Sequence, residues 1–82
     1  MEEEKDVVLS IHLSEDDRET VAVATLDLRG DHFQATGRAR RNPLDPPKPL
    51  IGEELAIARA LNQLEHQITE AAQDKIDQFL AR

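Results

Sequence analysis

Eighty-two residues hold one hydrophobic core and no second domain, and a domain of this size buries only about 60% of the surface its unfolded chain exposes, so its stability needs support. The absence of cysteine excludes disulfides and zinc-thiolate sites and leaves self-association as that support. A net charge of −7 excludes general affinity for nucleic acid or anionic membrane, both of which repel an acidic protein.

The charge is unevenly spread: residues 1–28 sum to −7 (nine acidic, two basic), 29–51 to +3 (two acidic, five basic) and 52–82 to −3 (six acidic, three basic). Residues 1–6 form an acidic tail where a secretory leader would be basic, and no apolar run approaches the roughly 20 residues that span a bilayer. A cytoplasmic protein without membrane contact is expected.

Val7, Leu9, Ile11 and Leu13 alternate with Val8, Ser10 and His12, the period-two pattern of a strand with one face on a core. Six polar residues, 14–19, then turn the chain in solvent. Alternation resumes with Thr20, Ala22, Ala24, Leu26 and Leu28 on one face and Val21, Val23, Thr25 and Asp27 on the other. Arg29-Gly30-Asp31 predicts a tight hairpin in which Gly30 supplies positive φ. A third strand from about His32 to Arg40 points Phe33, Ala35, Gly37 and Ala39 inward and Gln34, Thr36, Arg38 and Arg40 outward. Short links make the three strands an antiparallel meander. The small inward face of the third strand predicts that a helix crosses the sheet closely at that point.

Residues 42–50 carry all four prolines and are expected to run as an extended linker. After Gly52, Glu53 and Glu54 suit the positive end of a helix dipole, and Leu55, Ala58, Leu61, Leu64, Ile68 and Ala72 recur at helical steps. Ile57 broadens the stripe, and Ile76, Phe79 and Leu80 continue it, with Phe79 expected in the core. Thr69 is able to cap a second helix, yet no glycine or proline enforces a break, so the helix either runs to 81 or breaks near 69. The fold class is α+β: one domain, 1–82, with a three-stranded meander backed by a long C-terminal amphipathic helix.

Two blocks, Gly37-Arg38-Ala39-Arg40-Arg41-Asn42-Pro43-Leu44-Asp45 and Ile51-Gly52-Glu53-Glu54-Leu55-Ala56-Ile57-Ala58-Arg59-Ala60-Leu61, resemble a family of small actinobacterial proteins of unknown function that includes mycobacterial dormancy-associated members. Thr20 to Leu28 also looks like that family's second strand, so the resemblance covers most of residues 7–68. It implies a fold similar to the double-stranded-RNA-binding domain (dsRBD-like), a homodimer, a stress or dormancy setting and a shape likened to ribosome hibernation factors. It implies no catalytic residue. Gln34, Thr36 and Arg38 are more polar than the family pattern, which argues against a dimer built through that outer face.

Arg38, Arg40, Arg41 and Lys48 are the candidate contacts for RNA phosphate, with Arg29 toward the other end of the strand; the competing reading is a solvated face that answers nearby acids. No aromatic side chain is offered for base stacking. His12, His32 and His66 lie on separate elements without ligand spacing, and Glu53 and Glu54 point in different directions, so neither a metal nor acid–base chemistry is expected. With no nucleophile motif or glycine-rich loop, the chain reads as a non-enzyme with no cofactor and no small-molecule substrate. Arg59 is expected to bond linker carbonyls or pair with an acid. Val8, Val21 and Val23 form the candidate dimer face on the sheet side away from the helix. The first strand, as an edge, is also able to extend a neighbour's sheet, with residues 2–6 as a charged guard at its start. The expected partner is a second copy, with the ribosome or RNA as a further one; the alternative is an accessory domain that binds another protein.

Overall fold

The computed structural model describes residues 2–42, 44 and 48–81. The chain forms β1 (Leu9–Glu15), β2 (Glu19–Leu28), β3 (Asp31–Arg40) and α1 (Pro49–Leu80). The sheet order is β1-β2-β3, antiparallel throughout, with Ile11 opposite Ala24 and Ala24 opposite Ala35. Arg29 and Gly30 both take positive φ, 49° and 88°, which a two-residue turn between right-twisted strands requires. Between β1 and β2, the Asp16 carboxylate accepts the amides of Arg18 and Glu19 at 2.7 and 2.8 Å and holds the turn.

One helix crosses one face of the sheet, antiparallel to β3. Gly52 lies beside Thr20, Gly37 beneath Ala56 and Ala60, and the Lys75 ammonium reaches Asp31 at 2.8 Å. Helix and strand backbones touch at Gly37: a Cβ built there would stand 2.9 Å from the Arg59 carbonyl carbon and nearer still to the Ala56 oxygen and Ala60 nitrogen. The close crossing expected from the small face of β3 is therefore present. The core reflects it, since among the described residues six of the eight buried apolar ones are alanine (Ala22, Ala24, Ala35, Ala39, Ala56, Ala60), joined by Phe33 and Leu64. Buried methyl groups contribute about 0.8 kcal/mol each, against about 1.5–3 kcal/mol for a large aliphatic side chain, so this core is weakly stabilising.

Four sequence expectations are corrected. The first strand begins at Leu9, not Val7, and all seven of its residues are exposed. An α-helix is about 10 Å across and strands lie about 4.8 Å apart, so a single helix covers two strands, here β2 and β3, and leaves β1 bare. The helix starts at Pro49, where a proline costs nothing because the first-turn amides lack partners, so Pro49 and Leu50 belong to it rather than to the linker, while Pro43, Asp45, Pro46 and Pro47 lie outside the described residues. Its buried stripe is Ala56, Ala60 and Leu64, flanked by Ile57, Ile68 and Ala71; Leu55, Ala58 and Leu61 are exposed, because contact with the glycine of β3 admits alanine and nothing larger. The helix is continuous through Thr69. At 1.5 Å per residue it runs about 48 Å over strands of about 33 Å, so its last turns overhang and Phe79 and Leu80 are 72% exposed, not core.

Candidate functional site

The helix occupies part of the β3 edge. The Arg59 guanidinium donates to the Arg38 carbonyl at 2.7 Å, and the Gln67 amide nitrogen donates to the Gln34 carbonyl at 2.9 Å. Arg59 thus bonds a strand edge rather than the linker or an acid. No equivalent cover lies on β1, whose outer edge is unpaired among the described residues. Leu9, Ile11 and Leu13 share the helix-side face with Leu26, Ala24 and Ala22, and they remain 43, 38 and 36% exposed. Exposed Leu61 belongs to the helix above that sheet face, and partly buried Ile57 and Ile68 pack against the core. The largest unpartnered apolar surface of the sheet is therefore on β1 and on the helix side. Alternation in the sequence gives the facing of these residues but not whether a helix reaches them.

The candidate dimer face on the opposite side is smaller. Val21 and Val23 are half-buried in the central strand, opposite Arg38 and Thr36 on β3 and opposite Ser14 and His12 on β1. Val8 precedes β1 and is largely exposed, so the structure joins two of the three valines and hems them with polar side chains.

The candidate phosphate contacts gather at one end of the sheet but not as a clean basic patch. Arg38 pairs with Glu19 at 3.1 Å across the strands. Arg40 and Arg41 surround the Asp16–Glu19 turn, with the Arg41 amide donating to the Arg18 carbonyl at 2.8 Å. Lys48 stands at the helix N-cap, where no side chain caps the first turn. Glu53 lies one turn inside the helix, not at its start, and faces Glu15 at the end of β1. A hydrogen bond with Glu15, reinforced by the charge of Glu15, raises the Glu53 carboxyl above its ordinary value. A carboxyl whose folded pKa is raised adds stability below its ordinary value, and that contribution is lost as pH rises through the raised one. Glu53→Gln is expected to raise the melting temperature at pH 7 and leave it unchanged at pH 4; equal effects at both would show that the two carboxyls do not share a proton.

On the open face the His32 ring meets Asp27 at 2.6 Å, and that bond raises the histidine above its usual value. Asp27→Asn is expected to lower the His32 titration midpoint followed by proton NMR. Among the described residues no group of three or more His, Asp or Glu is placed to hold a metal, and no helix is long and apolar enough to cross a membrane.

The profile of the Rv2632c-like family matches residues 5–82. The chain belongs to the Rv2632c-like family. Rv2632c of Mycobacterium tuberculosis, an uncharacterized protein, is 42% identical over 60 residues, which span 73% of this chain and 64% of that relative's length. Mb1767 of Mycobacterium bovis, also an uncharacterized protein, is 41% identical over 56 residues, 68% of this chain and 60% of its own. The crystal structure of Rv2632c superposes with a TM-score of 0.86 at 36% identity, covering 93% of this chain and 90% of that one. The expected resemblance to mycobacterial proteins of unknown function is met by these relatives, and the Rv2632c structure shares this chain's fold.

Proposed function

We propose that this chain is a non-enzymatic interaction module that pairs with a second copy of itself through the edge of β1. The observation that carries this reading is the exposure of all seven β1 residues, with Leu9, Ile11 and Leu13 each more than a third exposed on the helix side of a free edge. Antiparallel pairing of two such edges makes one six-stranded sheet with both helices on the same face and joins the two apolar strips. An alanine core in a chain of this size leaves stability to be gained that way. Half-buried Val21 and Val23, by contrast, offer only two side chains among polar neighbours.

A stress or dormancy setting and a dsRBD-like relationship to RNA enter from the family resemblance. The ribosome-bound form of the reading rests on Arg38, Arg40, Arg41 and Lys48, and it is weakened by the Glu19 partner of Arg38 and by the acids of the 15–19 turn. A second reading, an accessory domain that binds another protein without nucleic-acid contact, is favoured by the overhanging helix end with Ile76, Phe79 and Leu80 exposed.

Light scattering on the full chain across a dilution series separates the two. A mass of about twice 9.2 kDa that falls on dilution is expected, whereas a monomer at every concentration would move the assignment to a heterologous protein.

A further inference from the structure

We infer that the acidic segment at residues 2–6 of one copy clasps the basic end of a second copy, at Arg18, Arg40, Arg41 and Lys48. The inference rests on the β1 pairing proposed above and adds its register and its charge partner. The two charged groups lie at opposite ends of the same edge. Residues 2–6 lead into β1 beside the β2–β3 turn, where Leu9 faces Leu26, while the cations lie past Glu15, which faces Thr20. Within one chain the seven residues of β1, about 23 Å, keep them apart. An antiparallel partner brings them together.

The strand supplies the register. It reads nearly symmetrically about His12, with Ile11 and Leu13 next and Ser10 and Ser14 beyond. Pairing on that centre sets Ile11 against Leu13 of the second copy, both on the helix side, and Leu9 against Glu15. A slip of one residue would set Ile11 beside His12 of the second copy and turn the two apolar sets to opposite faces of the sheet. The same register carries the segment before Leu9 past Glu15 of the second copy, toward its 16–19 turn. Arg18 there continues β2 and Arg41 continues β3, so Glu2, Glu3 and Glu4 have two to three strand spacings, about 10–14 Å, to cover to reach Arg18, Arg40 and Arg41.

The cations are available. Asp16 is held by the amides of Glu19 and Arg18, Glu19 is held by Arg38, and Glu15 accepts the Thr20 hydroxyl and faces Glu53, which leaves Asp17. Among the described residues none of Arg18, Arg40, Arg41 and Lys48 is in an ion pair. A segment of −3 net charge (four acids and Lys5 over residues 2–6) thus meets four unmatched cations, and the split of −7 and +3 between the first two thirds of the chain becomes an attraction between copies.

The test uses the full-length chain, the charge reversals E2K/E3K/E4K and R40E/R41E, and light scattering on dilution at about 50 mM and about 500 mM salt. Each reversal is expected to weaken the dimer by on the order of tenfold at low salt, an equimolar mixture of the two to restore it, and high salt to bring the native chain down to their level. A native dimer with unchanged reversals, or a mixture that restores nothing, overturns the clasp and leaves the β1 pairing standing. A monomeric native chain overturns both. Binding of a single-stranded poly-U probe to the native dimer, lost in R40E/R41E, also overturns the clasp, because those cations would then be open to phosphate.

Discussion

Replacing Gly37 with alanine is expected to cost at least about 3 kcal/mol of folding stability. The added methyl has no free volume to enter: it meets the carbonyl oxygen of Ala56, the amide nitrogen of Ala60 and the carbonyl carbon of Arg59, all backbone atoms of a helix that cannot rotate away. The helix would have to rise off β3, and lifting it separates Ala56 and Ala60 from Ala22, Ala24 and Ala35, which are most of the core. A domain this small starts near the lower end of the ordinary range, about 5 kcal/mol, so the variant should be largely unfolded at 37 °C. Gly30→Ala is the control. Nothing lies within 4 Å of a Cβ there, and only the φ of 88° opposes it, a cost of about 1 kcal/mol. Urea titrations followed by circular dichroism would show the ranking, and a Gly37→Ala midpoint at or above that of Gly30→Ala would refute the close-contact account.

The second large effect is on association. Ile11→Lys with Leu13→Lys is expected to leave the monomer folded, since both side chains are already more than a third exposed and lie outside the buried cluster, and to abolish self-pairing. In the paired sheet each lysine of one copy would face a lysine of the other across the symmetric register, so lost apolar contact and like-charge repulsion act together. A loss of about 2 kcal/mol or more per centre lowers affinity by roughly thirtyfold or more. Native circular dichroism with a monomer mass is the expected pair of results; an unchanged dimer would send the interface to Val21 and Val23 or to the helix overhang.

Much of this architecture was legible in the residues. Period-two alternation located β2 and β3 to within a residue, Arg29-Gly30 marked the turn, and the run Ala35, Gly37, Ala39 foretold where a helix would come close. The phase of that helix was not read, because a stripe drawn through leucines assumes that the largest side chains face inward. Where a backbone sits on a glycine the rule inverts: Ala56 and Ala60 take the contact and Leu55 and Leu61 turn out. The bareness of β1 was unreadable for another reason, since alternation in Leu9, Ile11 and Leu13 records which way they point and not how far a helix extends. Of the site, the Arg38–Arg41 cluster was visible as composition, but the pairing of Arg38 with Glu19 depends on a cross-strand neighbour. The meeting of Glu15 and Glu53 joins residues far apart in sequence and carried no local signal.

The side-chain bonds of Arg59 and Gln67 to the carbonyls of Arg38 and Gln34 have a consequence for how far assembly runs. A sheet with two open margins is a template for unlimited growth, and fibrils form when each added chain offers a fresh margin to the next. This sheet has one open margin, β1, and one on which the helix already occupies two carbonyls, those of Gln34 and Arg38. In the proposed β1 pairing each copy turns that obstructed margin outward, which disfavours a third strand there. With Arg59 and Gln67 both cut to alanine, the paired chain is expected to be more prone to polymerise.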